Sequence, residues 1–516
     1  MPSAPVTLAP PFPAPVTASV TVLRPGPAWR RGTVVRRLAD GIAVGDETGT
    51  GSATVLRPLP APLVDLLERM LAGPLDLEVV EEEIGPQGRT ALELVLDRLG
   101  HRVARRWSDG AAQVVLAAEQ TARGPWPAPV PVAAGDVVRL SRFALLRTDG
   151  DDLVLESPLG TTRFLVGDGV LARLVPLLGR ARPVAELIDD ESTDRVERAV
   201  LAHLVGAGVV ERADVDGVFA SATDPTLRQW DFHDLLMHSR VRSGRFDAVH
   251  GAAYPYVGEI DPLPARRPVP QGARVPLTRP DLAATSAADP TLTEVLEARR
   301  SIRDYGDEPM TVVQLGEFLY RTARVRAAYA PSDPTEEERV SRPYPSGGGS
   351  YELELFLTVR RCAGLEPGRY YYDPVDHALV HVGDLGRDAE LMLNVASAAT
   401  GLEARPDVLV TMTARFARVS WKYRSIAYAT TLRHTGVAYQ TMYLVATAMG
   451  LAPCALGNGD ADLAARAFGL DYLRESSVGD FILGSRPSVD AAAVSGDAGL
   501  APGWSLLNDG AWTPTG

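Results

Sequence analysis

The sequence predicts an α+β fold built from more than one domain, and three observations carry that prediction. The chain has 516 residues, several times the usual single-domain size. Hydrophobic residues make up 46% and charged ones 23%, the balance of a chain that buries a sizeable core. Short stretches of alternating apolar residues are interleaved with helix-period stretches, strand-rich over the first 220 residues and mixed, with Gly-rich punctuation, from about residue 290.

Two modules are expected at the front. In residues 18–135, "SVTVLRP", "GIAVGD" and "SATVLRPL" read as strands, "APLVDLLERMLA" and "RTALELVLDRLGHR" as helices, and "AAQVVLAAE" as strand. Residues 136–222 repeat this texture. "VVRLSRFALLRTDGDDLVLESPL" reads as a hairpin turning across Asp149 to Asp152, and "DGVLARLVPLLG" and "TDRVERAVLAHLVGAG" as helices, the latter stopped by Gly206 or Gly208. Helices closed by strands, twice over, suggest two small winged-helix-like modules. Such modules serve as caps, as dimerisation units, or as peptide docks whose strand edges accept an extended chain. Residues 223–280 form a connector, helical around Trp230 to Leu236 and then punctuated by prolines. His233 and His238 lie five apart, off the spacing that puts two ligands on one helix face, and read as structural or surface groups. Residues 281–500 read as one α+β domain, with strands at "LELFLTVRRC", "GRYYYDP", "ALVHVGD" and "DVLVTMTARFA" and a helix, "TTLRHTGVAYQTMYLVATAMG", apolar on several faces.

Composition removes several function classes. A net charge of −13 argues against a nonspecific nucleic-acid binder or an anionic-membrane binder, so any phosphate site must be built locally. The two cysteines, Cys362 and Cys454, form neither a disulfide framework nor a zinc cluster, which fits a reducing cytosol; no metal is expected. Cys454 lacks an evident base and is not expected to act as a nucleophile. The first 20 residues, rich in Pro, Ala and Val, lack a signal-peptide pattern and suggest an extended leader, and no apolar run reaches the roughly 18 residues of a membrane span. A cytoplasmic protein is the expectation.

Five short motifs carry chemistry. "RRSIRDY" spaces Arg299 and Arg303 four apart around Ser301; if the helix continues that far both guanidinium groups can grip an anion, although a solvated helix end is the simpler reading of the spacing alone. "PSGGGSYE" sets Ser346 before Gly347 and two further glycines, a backbone able to lie close to a planar ligand, or a plain flexible loop. "CALGNGD" offers a loop at Leu456 and Gly457, or a helix stop, and "FILGSR" ends a strand with Arg486. "SWKYRSIAYA" places Lys422 beside Tyr423, two proton carriers that diverge on a regular helix or strand and reach one point only where the backbone is irregular.

In this order, from "RRSIRDY" through "PSGGGSYELELFL", "GLEPGRYYYDPVDHALV" and "WKYR" to "MGLAPCALG" and "FILGSR", the chain resembles the flavin-dependent nitroreductase superfamily. Within it the chain is most similar to azoline (thiazoline/oxazoline) dehydrogenases of the SagB/McbC type, over about residues 225–490. The resemblance implies an FMN cofactor. Arg299, Ser301 and Arg303 match its phosphate and ribityl contacts, Arg486 a later phosphate-side contact, Ser346 and Gly347 the loop against the flavin, and Leu456 and Gly457 a loop whose N–H groups meet the isoalloxazine edge. Lys422 and Tyr423 match the catalytic Lys-Tyr pair of this group, one residue taking the Cα proton while a hydride goes to flavin N5. Glu352 departs from the pattern, since many relatives carry a proline there. The implied substrate is an azoline-containing precursor peptide, the implied assembly a homodimer, and cyclodehydratase proteins the implied partners, with oxygen reoxidising the flavin. Burial would lower the pKa of the lysine and a neighbouring cation that of the tyrosine. Two other readings are a small-molecule nitroreductase or flavin reductase using a nicotinamide donor, and a flavin-free scaffold that docks a peptide.

Overall fold

The computed structural model describes residues 23–46, 53–109, 113–188, 194–246, 249–331, 333, 336–401 and 405–487, in two compact units, residues 1–250 and 251–516. The expected leader and the end of the expected catalytic domain, residues 488–500, lie outside the described residues.

In the first unit a six-stranded antiparallel sheet has the order Arg24–Trp29, Val103–Ser108, Val114–Gln120, Thr162–Leu165, Asp152–Glu156, Leu145–Asp149. It runs straight through the expected module boundary at 135/136. The junction is the pairing of Phe164 with Ala118, and both are buried in one apolar cluster with Leu116, Leu155, Leu174 and Leu201. Pooling the two strand sets satisfies backbone edges that two separate modules would leave open. Each half keeps its own helices, Ala61–Arg69 and Leu77–Leu99 in one, Val170–Leu177 and Asp194–Gly206 in the other, with a three-stranded sheet apiece. The helix Leu77–Leu99 is broken at Gly85, whose φ of 73° precedes Pro86. The expected hairpin turns at Asp149 and Asp152, which pair with each other. The connector is divided, its helix Phe232–Arg240 in the first unit and the residues from Gly251 onward in the second.

The second unit is a three-layer α+β body around a seven-stranded antiparallel sheet, ordered Arg274–Pro276, Ala378–Gly383, Gly368–Asp373, Leu353–Val359, Val408–Arg415, Glu475–Ser485, Leu451–Leu456. Leu353–Val359 and Val408–Arg415 are buried at every position because both faces are covered. Alternation sorts their side chains. Leu355, Leu357, Val408, Val410, Phe481 and Leu483 face the long helix Ala427–Ala448, through Ala438, Met442 and Ala446. Phe356, Leu409 and Ile482 face the other way, onto the helices Gly386–Thr400 and Ala461–Phe468. The apolar helix expected after Thr431 is this first covering layer.

Two expectations fail locally. "RRSIRDY" is not helical: the helix Leu292–Ala298 ends at Arg299, whose backbone is extended, because Ile302 N–H leaves to bond Pro453 O at 2.8 Å. "CALGNGD" does not begin as a loop or helix stop. Its first three residues finish the buried edge strand Leu451–Leu456, and only from Gly457 does the chain turn away.

Candidate active site

The long helix Ala427–Ala448 presents three groups of site residues in turn. Near its C-terminal half, the Tyr443 hydroxyl sits 2.7 Å from Ser301 Oγ and accepts the Ala455 N–H at 2.8 Å, fastening the extended segment after Arg299 to the edge strand. Arg299 lies over the Tyr443 ring at 5.3 Å. Beside it Ser301, Arg303 and Arg486 converge with Arg300 on one cavity of about 450 Å³. Thus three of the four expected phosphate-side residues meet although the helix does not continue through Arg303, while Arg299 is turned to Tyr443. Among the described residues no carboxylate pairs with Arg303 or Arg486, and burial, with Arg300 nearby, lowers the pKa of Arg486. Two such cations on one cavity wall fit a phosphate guest.

In the middle, Thr435, Gly436 and Tyr439 line a second cavity of about 430 Å³ together with Leu456, Gly457 and Asp480. A Cβ at Gly436 or Gly457 would meet nothing, so the cavity walls there are bare backbone suited to a flat ring. Burial pushes the Asp480 carboxyl up to about 6, the hydrogen bond from Thr411 at 2.7 Å offsetting only part of the effect.

Near its start, the helix meets the glycine loop. Gly347 N–H donates to His434 Nε2 at 2.7 Å, and His434 Nδ1 faces both oxygens of the fully buried Glu352, at 2.8 and 3.1 Å. Ser346 Oγ accepts the Tyr351 N–H at 3.0 Å and closes the turn. Against the loop stand Lys422 and Tyr423. Lys422 follows the short helix Ala417–Ser420 and Tyr423 opens the two-residue strand Tyr423–Arg424, with Ser425 at a φ of 62°. This irregular backbone supplies what adjacency on a regular element forbids: a Cβ built on Gly348 would lie 2.5 Å from Lys422 Nζ and 2.6 Å from Tyr423 Oη. The backbone of the pair is held by antiparallel pairing of Tyr423 with Ala252, and by the N–H groups of Ala253 and Tyr254, which both donate to Lys422 O at 3.0 Å.

Lys422 is buried and ion-paired with the equally buried Glu337, and its ammonium also donates to Gly348 O at 3.3 Å. This corrects the expected pKa directions. Burial pulls Lys422 down, but the hydrogen bond and charge of Glu337 outweigh it and hold the ammonium above the ordinary lysine value. Burial likewise pushes the Tyr423 phenol up; Lys422 pulls it back only in part, and Glu337 adds to the rise. Glu337, His434 and Tyr254, whose ring centre is 5.6 Å from Lys422 Nζ, went unread in the sequence. Glu337 sits in the acidic run "TEEERV", which reads as solvated, and a lone histidine in an apolar helix reads as core. Cys362 and Cys454 are both buried, and Cys454 donates to Ala455 O at 3.3 Å.

The residues present fit an elongated anionic cofactor with a flat ring. From His434 to Tyr443 the helix advances about 14 Å, carrying the bare-backbone cavity in the middle and the cationic cavity at one end.

Known proteins resemble parts of the chain. The profile of the nitroreductase family matches residues 296–485, and that of the cyanobactin oxidase ThcOx matches residues 138–247. A nitroreductase-type protein of Methanocaldococcus jannaschii is 32% identical over 166 residues, covering 32% of this chain and 78% of its own length. The microcin B17-processing protein McbC of Escherichia coli is 32% identical over 130 residues, 24% of this chain and 46% of McbC, so the match spans less than half of that relative. Among solved structures, the E. coli microcin synthetase McbBCD complex with truncated pro-MccB17 bound is 23% identical with a TM-score of 0.30, covering 36% of this chain and 70% of the matched one.

Proposed function

This chain belongs to the nitroreductase family, and from that premise we propose that it is an FMN-dependent dehydrogenase that oxidises thiazoline or oxazoline rings of a ribosomally made precursor peptide to azoles. The observation that carries the reading past a generic flavin reductase is the convergence of Lys422 and Tyr423 on Gly348. The likeness to McbC and to the cyanobactin oxidase supports it.

In this reading Ser301, Arg303 and Arg486 hold the cofactor's phosphate, with Arg299 and Tyr443 packing the ribityl side. Ser346, Gly347, Leu456 and Gly457 border its ring. FMN, when bound, accepts the hydride that leaves the azoline carbon next to Cα. Tyr423 takes the Cα proton at Oη, and Lys422, kept as an ammonium by Glu337, supplies the positive charge that a phenolate there needs. Because the phenol is held above its ordinary value, the phenolate is a small fraction at neutral pH and turnover rises with pH through the alkaline range. Molecular oxygen is the terminal electron acceptor. A second copy of the chain is expected to cover the exposed Tyr428 and Leu432 on the long helix, giving a homodimer, and cyclodehydratase proteins are the expected partners. No nucleic-acid partner fits the charge of −13. Among the described residues no helix is long and apolar enough to cross a membrane.

The test is to incubate the purified flavin-loaded chain with an azoline-containing peptide in air and follow the mass. Loss of two hydrogens per ring is expected, and Lys422→Ala and Tyr423→Phe should each reduce the rate at least about 100-fold with the flavin spectrum intact. Wild-type rates in both variants would sink the assignment.

A further inference from the structure

The backbone of the glycine loop links two hydrogen-bonded acid–base pairs. The contacts run from Glu352 to His434 Nδ1, from His434 Nε2 to the Gly347 N–H, and from Gly348 O to the Lys422 ammonium and on to Glu337. Lys422 and Glu337 belong to the reaction read above. His434 and Glu352 do not, yet both are buried, and a buried polar pair of that kind is retained only with its partners satisfied.

The direction of each bond fixes the imidazole. A backbone N–H can only donate, so Nε2 is the acceptor and carries a lone pair; the single ring proton is on Nδ1, donated to the Glu352 carboxylate. Without Glu352 the Nδ1 proton keeps only Ser346 Oγ, 3.4 Å away, and the Gly347 N–H alone opposes the other tautomer, which would point an N–H at it. The loop needs the anchor. Gly348 and Gly349 have φ of 62° and 70°, and Tyr351 has a φ of 43°, a conformation a tyrosine rarely adopts unless its surroundings impose it.

We propose that His434 is a positioning residue, its tautomer set by Glu352, that pins the Gly347 amide and thereby places the Gly348 carbonyl against Lys422 and the loop against Tyr423. The inference rests on the reading of Lys422 and Tyr423 as the catalytic pair, but its chemistry is a property of the loop and is measurable without turnover. It also explains why a carboxylate is buried at Glu352, beside a histidine whose orientation it selects.

Two variants separate the roles of the two ring nitrogens. In His434→Gln the side-chain oxygen reaches the Nε2 position and restores an acceptor for Gly347; in His434→Asn the amide reaches only the Nδ1 position and leaves the Gly347 N–H unpaired. On the full-length, flavin-loaded chain, amide exchange of the segment 346–350 should accelerate about 10-fold to 100-fold in the Asn variant, the effect of unpairing one buried donor, and return most of the way in the Gln variant. The kcat for an azoline peptide should follow the same order, with KM changed little. The ¹⁵N spectrum of the wild-type histidines should show one ring protonated at Nδ1 only, converting to mixed tautomers in Glu352→Ala. An Nε2–H tautomer at His434 in the wild type, assigned by the signal lost in His434→Gln, or equal exchange in the Asn and Gln variants, overturns the proposal. Should the wild type leave azolines untouched, the functional reading fails, and exchange and tautomer still decide this one.

Discussion

Adding one methyl group at Gly348 should disable the site without unfolding the protein. The new Cβ would lie 2.5 Å from Lys422 Nζ and 2.6 Å from Tyr423 Oη, whereas ordinary contact begins at 3.4 Å. Both polar atoms must therefore retreat by about 1 Å, a misplacement that costs on the order of 100-fold in rate. Backbone strain adds a second effect, since an L-residue at a φ of 62° costs roughly 1–2 kcal/mol. Gly349 supplies the control. Its φ is 70°, so alanine there carries the same strain, but its Cβ would meet only the Arg339 side chain at an ordinary 3.5 Å. Gly348→Ala and Gly349→Ala should lose similar stability in urea denaturation, while only Gly348→Ala loses about 100-fold in azoline oxidation. Equal rates in the two variants would refute the claim that Lys422 and Tyr423 act together at that point.

Other consequences concern the charges. Arg303→Ala and Arg486→Ala should each weaken flavin binding about 10-fold to 100-fold, the worth of one charge-assisted hydrogen bond to phosphate, read by titrating the flavin-free chain and following fluorescence. Asp480 has a folded pKa of about 6, raised from 3.8. A raised carboxyl favours folding below its unfolded pKa and loses that advantage as pH rises through 6, so Asp480→Asn should be more stable than wild type by up to about 3 kcal/mol at pH 8 and not at pH 4. For Lys422 the folded pKa is raised above 10.5, so the stabilisation by Glu337 is complete at neutral pH and fades only at higher pH. Glu337→Gln should therefore lose on the order of 3 kcal/mol at pH 7, and the gap to wild type should narrow above pH 10.5.

Pattern in the sequence reaches as far as regular structure does. The hairpin across Asp149 to Asp152, the strands "GRYYYDP" and "ALVHVGD", the central strands and the long apolar helix are legible because period and turn chemistry are local. The shared six-stranded sheet of the first unit was not legible. Its decisive pairing, Phe164 with Ala118, joins residues 46 positions apart, and no periodicity announces which edges meet. At the site, Ser301, Arg303 and Arg486 line one cavity although the helix that would have set Arg299 and Arg303 on one face stops at Ala298. What stayed hidden were the partners. Glu337 looks like one more surface acid, and only burial against Lys422 reveals that it reverses the direction in which the lysine's pKa moves.

The pairing of Gly251–Ala252 with Tyr423–Arg424 bears on how the chain can be dissected. A fragment begun at residue 281, where sequence texture places the catalytic domain, would discard the strand partner of Tyr423, both N–H groups that hold Lys422 O, and the sheet's edge strand Arg274–Pro276. It would keep Lys422 and Tyr423 themselves and lose the backbone that holds them, together with the Tyr254 ring beside Lys422. A fragment begun at Gly251 retains all of these, so the shortest piece worth expressing is set by main-chain contacts that carry no motif at all.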